Sequence, residues 1–149
     1  MSTSYSYLNV TGAFSHSLAG AYLFRGQQGV GNITIHMATE KSQQLVSADG
    51  TVQVSFVAGD NGTVTIECLQ TSDFHAFLLN WFNDVKTAAR EGDASAWSTG
   101  YMTIRDSLNG VTHTIKNISP QNLPDKPYSA QGGNVTWILQ AADIQTENV

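Results

Sequence analysis

The side chains best suited to chemistry are four histidines (His16, His36, His75 and His113), one cysteine (Cys68) and a scatter of acids and serines. A zinc site needs three or four ligands at workable spacing. No two of these histidines are spaced that way, and Cys68 has no second ligand near it. His36 and His113 fall inside strand-like runs and His75 in the first turn of a helix, so hydrogen-bonded structural roles are expected. Cys68 lies on the apolar side of an alternating run, as a small buried hydrophobe does, and a lone cysteine forms no disulfide within the chain. Gly26-Gln27-Gln28-Gly29-Val30-Gly31 has the glycine density of a phosphate-cradling loop. It lacks the Lys-Ser/Thr that closes a P-loop and no helix follows it, so it reads as a strand-to-strand connection. Nucleophilic catalysis calls for a Ser or Cys held by a His that a carboxylate orients, and no Gly-x-Ser-x-Gly elbow occurs. Asp60 and Glu67 come closest to a carboxylate pair, yet acids on a turn and a strand are ordinarily just solvated. Trp81, Trp97 and Trp137, with Tyr5, Tyr7, Tyr22, Tyr101 and Tyr128, could line a sugar platform. Trp81 and Trp137 fall on apolar faces and read as core; Trp97 either touches a neighbour or covers a sheet edge. No catalytic, cofactor-binding or metal-ligating residue is expected, and the chain reads as a non-enzyme.

The elements that position these residues are clearer than any chemistry. Asp49–Ala58 and Thr63–Leu69 read as alternating strands joined at Asp60-Asn61-Gly62, which tolerates positive φ. Val64, Ile66 and Cys68 then face one way while Thr63, Thr65 and Glu67 face the other. At Thr71-Ser72 the period switches from two to about 3.6, and a hydroxyl there can cap a helix running from about 73 to 89. On that helix Phe74, Phe77, Leu78, Trp81, Phe82 and Val85 form one stripe, an aromatic plug for a sheet. Further strand candidates are Leu8–Phe14, Ala21–Phe24, Asn32–Met37, Tyr101–Arg105, Val111–Ile118 (after the hairpin signal Asn109-Gly110) and Asn134–Gln140. Glu40–Ala48 is polar with little pattern, Glu91–Gly100 is a low-complexity bridge, and Pro120, Pro124 and Pro127 mark a loop that cannot enter a sheet interior. Thr146 onward shows no pattern. The sum is a mainly β (α+β) domain: a β-barrel or sandwich of about seven or eight strands with one flanking helix.

Composition points to assembly. The 149 residues are expected to make one domain, long enough to bury roughly 70% of the unfolded surface without staples. Only 13% are charged, about half the usual share, so a surface with little charge to keep it soluble is expected to be covered by neighbouring subunits. The stretch from Asp49 to Gly100 carries the whole net charge of −5. No basic patch exists to grip nucleic-acid phosphates. Met1-Ser2-Thr3-Ser4-Tyr5 has neither a basic n-region nor an apolar h-region, no run reaches membrane-span length, and synthesis in the cytoplasm is expected.

The order of the motifs carries a family likeness. A Gly- and Thr-rich start, Ser47-Ala48-Asp49-Gly50, Asp60-Asn61-Gly62-Thr63-Val64-Thr65-Ile66, Leu69-Gln70-Thr71-Ser72 and a Leu-bearing helix come first. A Leu108-Asn109-Gly110 turn, a Pro-bearing loop and Trp137-Ile138-Leu139-Gln140-Ala141 complete the series. Over about residues 8–143 the chain resembles bacteriophage tail tube proteins, above all the small tube subunits of contractile tails, which are related to the type VI secretion tube protein. The resemblance implies a β-barrel-like sandwich with one flanking helix, hexameric rings stacked into a hollow tube, and no catalytic residues or cofactors. It further implies a sheath outside, a tape-measure protein and then DNA in the lumen without sequence-specific binding, terminator and baseplate proteins at the ends, and a place in the virion tail without membrane insertion.

In such tubes a segment between main strands projects to the next ring, and here it maps onto about residues 40–61 of the single domain spanning 1–149. Val52, Val54 and Phe56 form a run with no covering partner in the local pattern; with Asp60 and Asn61 they are the expected inter-subunit contacts. Acids of the 49–100 block are expected to face the lumen, where they would not hold phosphates. Contractile and non-contractile tails, and phage tails and domesticated phage-like particles, share all these features. Two other readings stand beside this one: a monomeric carbohydrate-binding β-sandwich, and a small hydrolase with a site assembled from distant loops.

Overall fold

The computed structural model describes residues 3–25 and 29–148. Nine strands and one long helix appear among them: β1 (Val10–His16), β2 (Gly20–Arg25), β3 (Val30–Met37), β4 (Ser42–Val46), β5 (Val52–Phe56), β6 (Gly62–Leu69), α1 (Asp73–Arg90), β7 (Gly100–Asp106), β8 (Val111–Pro120) and β9 (Asn134–Asn148). Seven strands form one antiparallel sheet in the order β2-β1-β7-β8-β9-β6-β3, and β4 and β5 form a separate hairpin. Although β2 and β3 are the sheet's two opposite edges, only five residue steps connect Arg25 to Val30. Five steps span at most ~18 Å, so the sheet must curl into a half-barrel. Much of the glycine-rich segment 26–31 lies outside the described residues.

The concave face is the core. Phe14, Phe24, Val64, Ile66, Met102, Ile115, Trp137 and Leu139 are buried against Phe74, Leu78, Trp81, Phe82 and Val85 of α1. Phe14 meets Trp81 edge-on at 4.8 Å, and Phe24 stacks on Phe74 at 4.7 Å. The expected stripe is present, with Phe77 half-buried and His75 buried beside it. Ser72 caps the helix as its hydroxyl requires, its Oγ accepting from the His75 amide at 3.2 Å and donating to the Leu69 carbonyl at 2.7 Å. This satisfies one of the first-turn amides that have no intrahelical acceptor. Trp97 packs edge-on against Phe82 at 5.9 Å and so extends the core beyond the helix end.

Several expectations need correction, among them Pro120, which ends β8 opposite Leu139 and is not part of the proline loop. The strands on either side of Asp60-Asn61-Gly62 do not pair with each other: β5 pairs with β4, while β6 lies between β3 and β9. Gly62 does not have a positive φ. Its value is closeness, since a Cβ there would stand 2.2 Å from the His36 carbonyl oxygen. The polar stretch 40–48 also contains β4, and the unpatterned tail continues β9 to Asn148. Neither shows clear alternation, because β4 buries neither face and the end of β9 is held mainly by main-chain pairing with β8.

Candidate assembly surface

The β4–β5 hairpin, here called the arm, leaves the domain between β3 and β6. All ten of its strand residues are exposed. The register pairs Ser42 with Phe56, Gln44 with Val54 and Val46 with Val52. Directly opposed residues share a face, so Val46, Val52, Val54 and Phe56 form one apolar face while Gln43, Leu45, Gln53 and Ser55 lie on the other. Phe56 is 82% exposed and Val54 61%. A two-stranded ribbon of this kind is only marginally stable in water alone.

Hydrogen bonds stiffen its tip. The Ser47 amide donates to the Thr51 carbonyl at 2.9 Å, and the Gly50 amide returns to the Ser47 carbonyl at 3.0 Å. Gly50 takes the left-handed φ of 90° that closes the turn. Asp49 accepts from the Ser47 hydroxyl and from the Thr51 amide, and these bonds hold its carboxyl at a pKa of about 2.

Another set of bonds fixes the root. The Lys41 ammonium pairs with the Asp60 carboxylate and donates to the Gly59 carbonyl. Asp60 also accepts from Gln145 Nε2 at 3.0 Å, and its own carbonyl accepts the Ile144 amide at 2.9 Å. Together Lys41 and Gln145 lower the Asp60 pKa. Thr39 Oγ1 donates to Asn61 Oδ1 at 2.7 Å, and the Ala38 amide donates to the Asn61 carbonyl at 3.0 Å. The five expected contact residues therefore divide in two. Val52, Val54 and Phe56 line the arm's apolar face, whereas Asp60 and Asn61 tie its legs to β9 and to the end of β3. Sequence reasoning missed Val46 and Lys41; an apolar pair at Leu45-Val46 beside a tip of Ser-Ala-Asp-Gly was the available signal.

The convex face of the half-barrel has no cover from its own helix. Thr103, Thr114 and Gln145 share one row across it, and Arg25, Thr11, Arg105, Thr112 and Glu147 another. Of the seven acids between Asp49 and Gly100, Glu67 stands on this face, accepting from Asn32 at 3.1 Å and Asn134 at 2.7 Å, and Asp60 reaches its border through Gln145. Edges β2 and β3 carry no further strand among the described residues.

Three of the four histidines are built into the scaffold, while His36 on β3 is exposed. His16 Nδ1 accepts the Leu18 amide at 3.1 Å, leaving Nε2 to donate to the Ala96 carbonyl at 2.8 Å. His75 Nδ1 accepts from Trp137 Nε1 at 3.0 Å, a buried bond that requires the neutral ring, and burial lowers its pKa. His113 pairs with Thr146 Oγ1 at 2.8 Å, and burial lowers its pKa too. Among the described residues no three His, Cys, Asp or Glu side chains cluster to hold a metal ion, and no helix is long and apolar enough to cross a membrane.

This geometry recurs in solved structures. The fold matches a chain of the sheath–tube complex of PVC, an extracellular contractile injection system, in its extended state (TM-score 0.63, 10% identity, 99% of this chain and 93% of that one). It also matches a chain of the PVC sheath/tube terminator (TM-score 0.64, 9% identity, 98% and 99%) and one of the tube-terminating cap of the anti-feeding prophage (TM-score 0.63, 9% identity, 100% and 94%). At such identities the likeness is one of fold. No curated protein matches the chain by sequence. The model of one family, described as the bacteriophage PhiTE tail tube protein, matches residues 1–148. The chain belongs to this tail tube family and is a structural subunit of a phage tail tube.

Proposed function

We propose that this subunit assembles into hexameric rings stacked into a hollow tube, with the arm at about 40–61 of a single domain reaching the next ring. The observation that carries the reading is the arm itself: ten exposed strand residues with four apolar side chains on one face, a surface that water disfavours and a neighbour would bury. Val52, Val54 and Phe56 make the contact, and Asp60 and Asn61 set the angle from which the arm leaves. Open edges at β2 and β3 are covered by the adjacent subunits of the ring, since an unpaired strand edge recruits another strand.

The subunit has no catalytic part. Its convex sheet face is the lumen wall. On that face Arg25, Arg105 and Lys116 are offset by Glu67, Asp143 and Glu147, and Asp60 at its border is paired with Lys41, so the lumen is nearly neutral and the acidic block contributes Glu67 and Asp60. Passing DNA would then meet little net attraction. Chains of similar fold occur in a sheath–tube complex, a tube terminator and a baseplate. On that support we assign a sheath outside, terminator and baseplate proteins at the ends, and a tape-measure protein followed by DNA inside. The subunit is made in the host cytoplasm and ends in the virion tail.

Phe56→Asp tests the reading. The variant is expected to melt like the parent yet form no tubes by negative-stain electron microscopy. Normal polymerisation of Phe56→Asp would remove the arm from the interface, and a strongly charged lumen in a tube reconstruction would remove the convex face from the wall.

A further inference from the structure

Topology brings two distant arginines together on the convex face. Thr11 on β1 lies directly opposite both Arg25 on β2 and Arg105 on β7. Opposed residues share a face, and neighbouring strands run about 4.8 Å apart, so the two arginines flank Thr11 with their backbones ~10 Å from each other. Leu23, Ala13 and Thr103 form the next row, about 7 Å along the strands. These six residues line an open cleft of about 450 Å³. No carboxylate lines it. Glu147, the acid of the arginine row, stands two strands beyond Arg105, and among the described residues neither arginine has an ion pair. Leu23 is 75% exposed.

Two unpaired guanidiniums this close repel each other, and each presents a planar fork of donors. An anion between them removes the repulsion and accepts from both, with the Thr11 hydroxyl as a third donor. We propose that the cleft binds an acidic, amphipathic protein segment: an Asp or Glu carboxylate sits between Arg25 and Arg105, and an apolar side chain of the same segment covers Leu23 and Ala13. The inference rests on the tube reading above, in which this face is the lumen wall, and it gives the chemistry of the protein that fills the lumen before DNA. The exposed leucine decides between the two lumen occupants. A phosphate backbone matches the arginines but offers little apolar surface, and so leaves Leu23 in water. An acidic amphipathic segment satisfies both rows, and covering Leu23 releases unfavourable hydration. In a ring of six the clefts lie at one level, so a long occupant meets several at once and weak single contacts add up.

Titration of the isotope-labelled subunit, kept below its assembly concentration, tests the cleft by NMR. The probes are a synthetic helical peptide of Glu, Leu and Ala with Glu and Leu on one face, the same peptide with Ala in place of Leu, and a short DNA duplex. The first peptide is expected to move the amide signals of Thr11, Leu23, Arg25 and Arg105. Arg105→Gln is expected to weaken its binding about tenfold, the loss of one charge-assisted bond, and Leu23→Ser to weaken it by a smaller factor. Lys116→Gln, on the same face outside the cleft, leaves binding unchanged. Absence of binding, or binding that ignores Arg25→Gln and Arg105→Gln, overturns the cleft. Equal binding of the leucine-free peptide, or tighter binding of the duplex, overturns the choice of an amphipathic protein segment. A tube reconstruction with this face turned away from the lumen overturns the lumen reading alone, since peptide binding by the free subunit does not depend on it.

Discussion

The helix–sheet seam and the arm are both rich in apolar side chains, but they use them in opposite ways. In the seam, Phe74, Leu78, Trp81 and Val85 are completely buried against the concave sheet, and stability comes from area removed from water. On the arm, Val52, Val54 and Phe56 stand in solvent, and the ribbon keeps its form through the Asp49 tip and the Lys41–Asp60 root. Hydrophobicity alone does not say whether a residue folds a domain or joins two of them. Whether its own chain provides a cover decides that.

This contrast can be broken or sharpened by four measurements. Trp81→Ala empties the centre of the seam and is expected to cost about 3–5 kcal/mol in urea unfolding; a loss below ~1 kcal/mol would mean that the seam is not the stabilising unit. Ser72→Ala removes the helix cap and should cost about 1 kcal/mol by the same assay, while Ser72→Gly should cost only a few tenths.

The third measurement is pH. Burial depresses the His75 and His113 pKa values below the ordinary 6.5, so between 6.5 and the lower folded values the unfolded chain binds more protons. Their contribution is therefore whole above about pH 6.5 and is lost as pH falls through that window. Unfolding midpoints from pH 8 to 5 should show the fall, and His75→Gln should flatten part of it; an unchanged slope in that variant would remove His75 as a source. The smallest effect is on the arm: Val54→Ser should alter monomer stability by less than ~0.5 kcal/mol while slowing tube growth measured by light scattering. A larger loss of stability would show that the arm shares the domain's fold.

Much of this was legible because the signals are local. The helix from Asp73 to Arg90 follows from the Ser72 hydroxyl and the 3.6-residue aromatic stripe, and β6 from strict alternation across Val64, Ile66 and Cys68. The arm was half legible. Val52, Val54 and Phe56 announced an uncovered run, but β4 was hidden, since Ser42-Gln43-Gln44 buries nothing and needs no pattern. Asp60 and Asn61 could be singled out, but their task at the root could not, because it depends on Lys41, Thr39 and Gln145. Gln145 is far away in sequence, and no spacing rule links it to Asp60.

The sequence by itself determined the class of the domain, the position of its helix, the identity of its core face and the family pattern that runs through its motifs. These depend on periodicity and on side chains acting over a few residues. The β7–β8 hairpin was legible at Asn109-Gly110; the tertiary structure alone decided which distant strands pair, that Gly62 serves close approach and not a turn, and that the arm stands free of the sheet with four apolar residues on one side. Pairing between distant strands is set by how the whole sheet curls over α1, and that curl is a compromise among many contacts that no local stretch encodes.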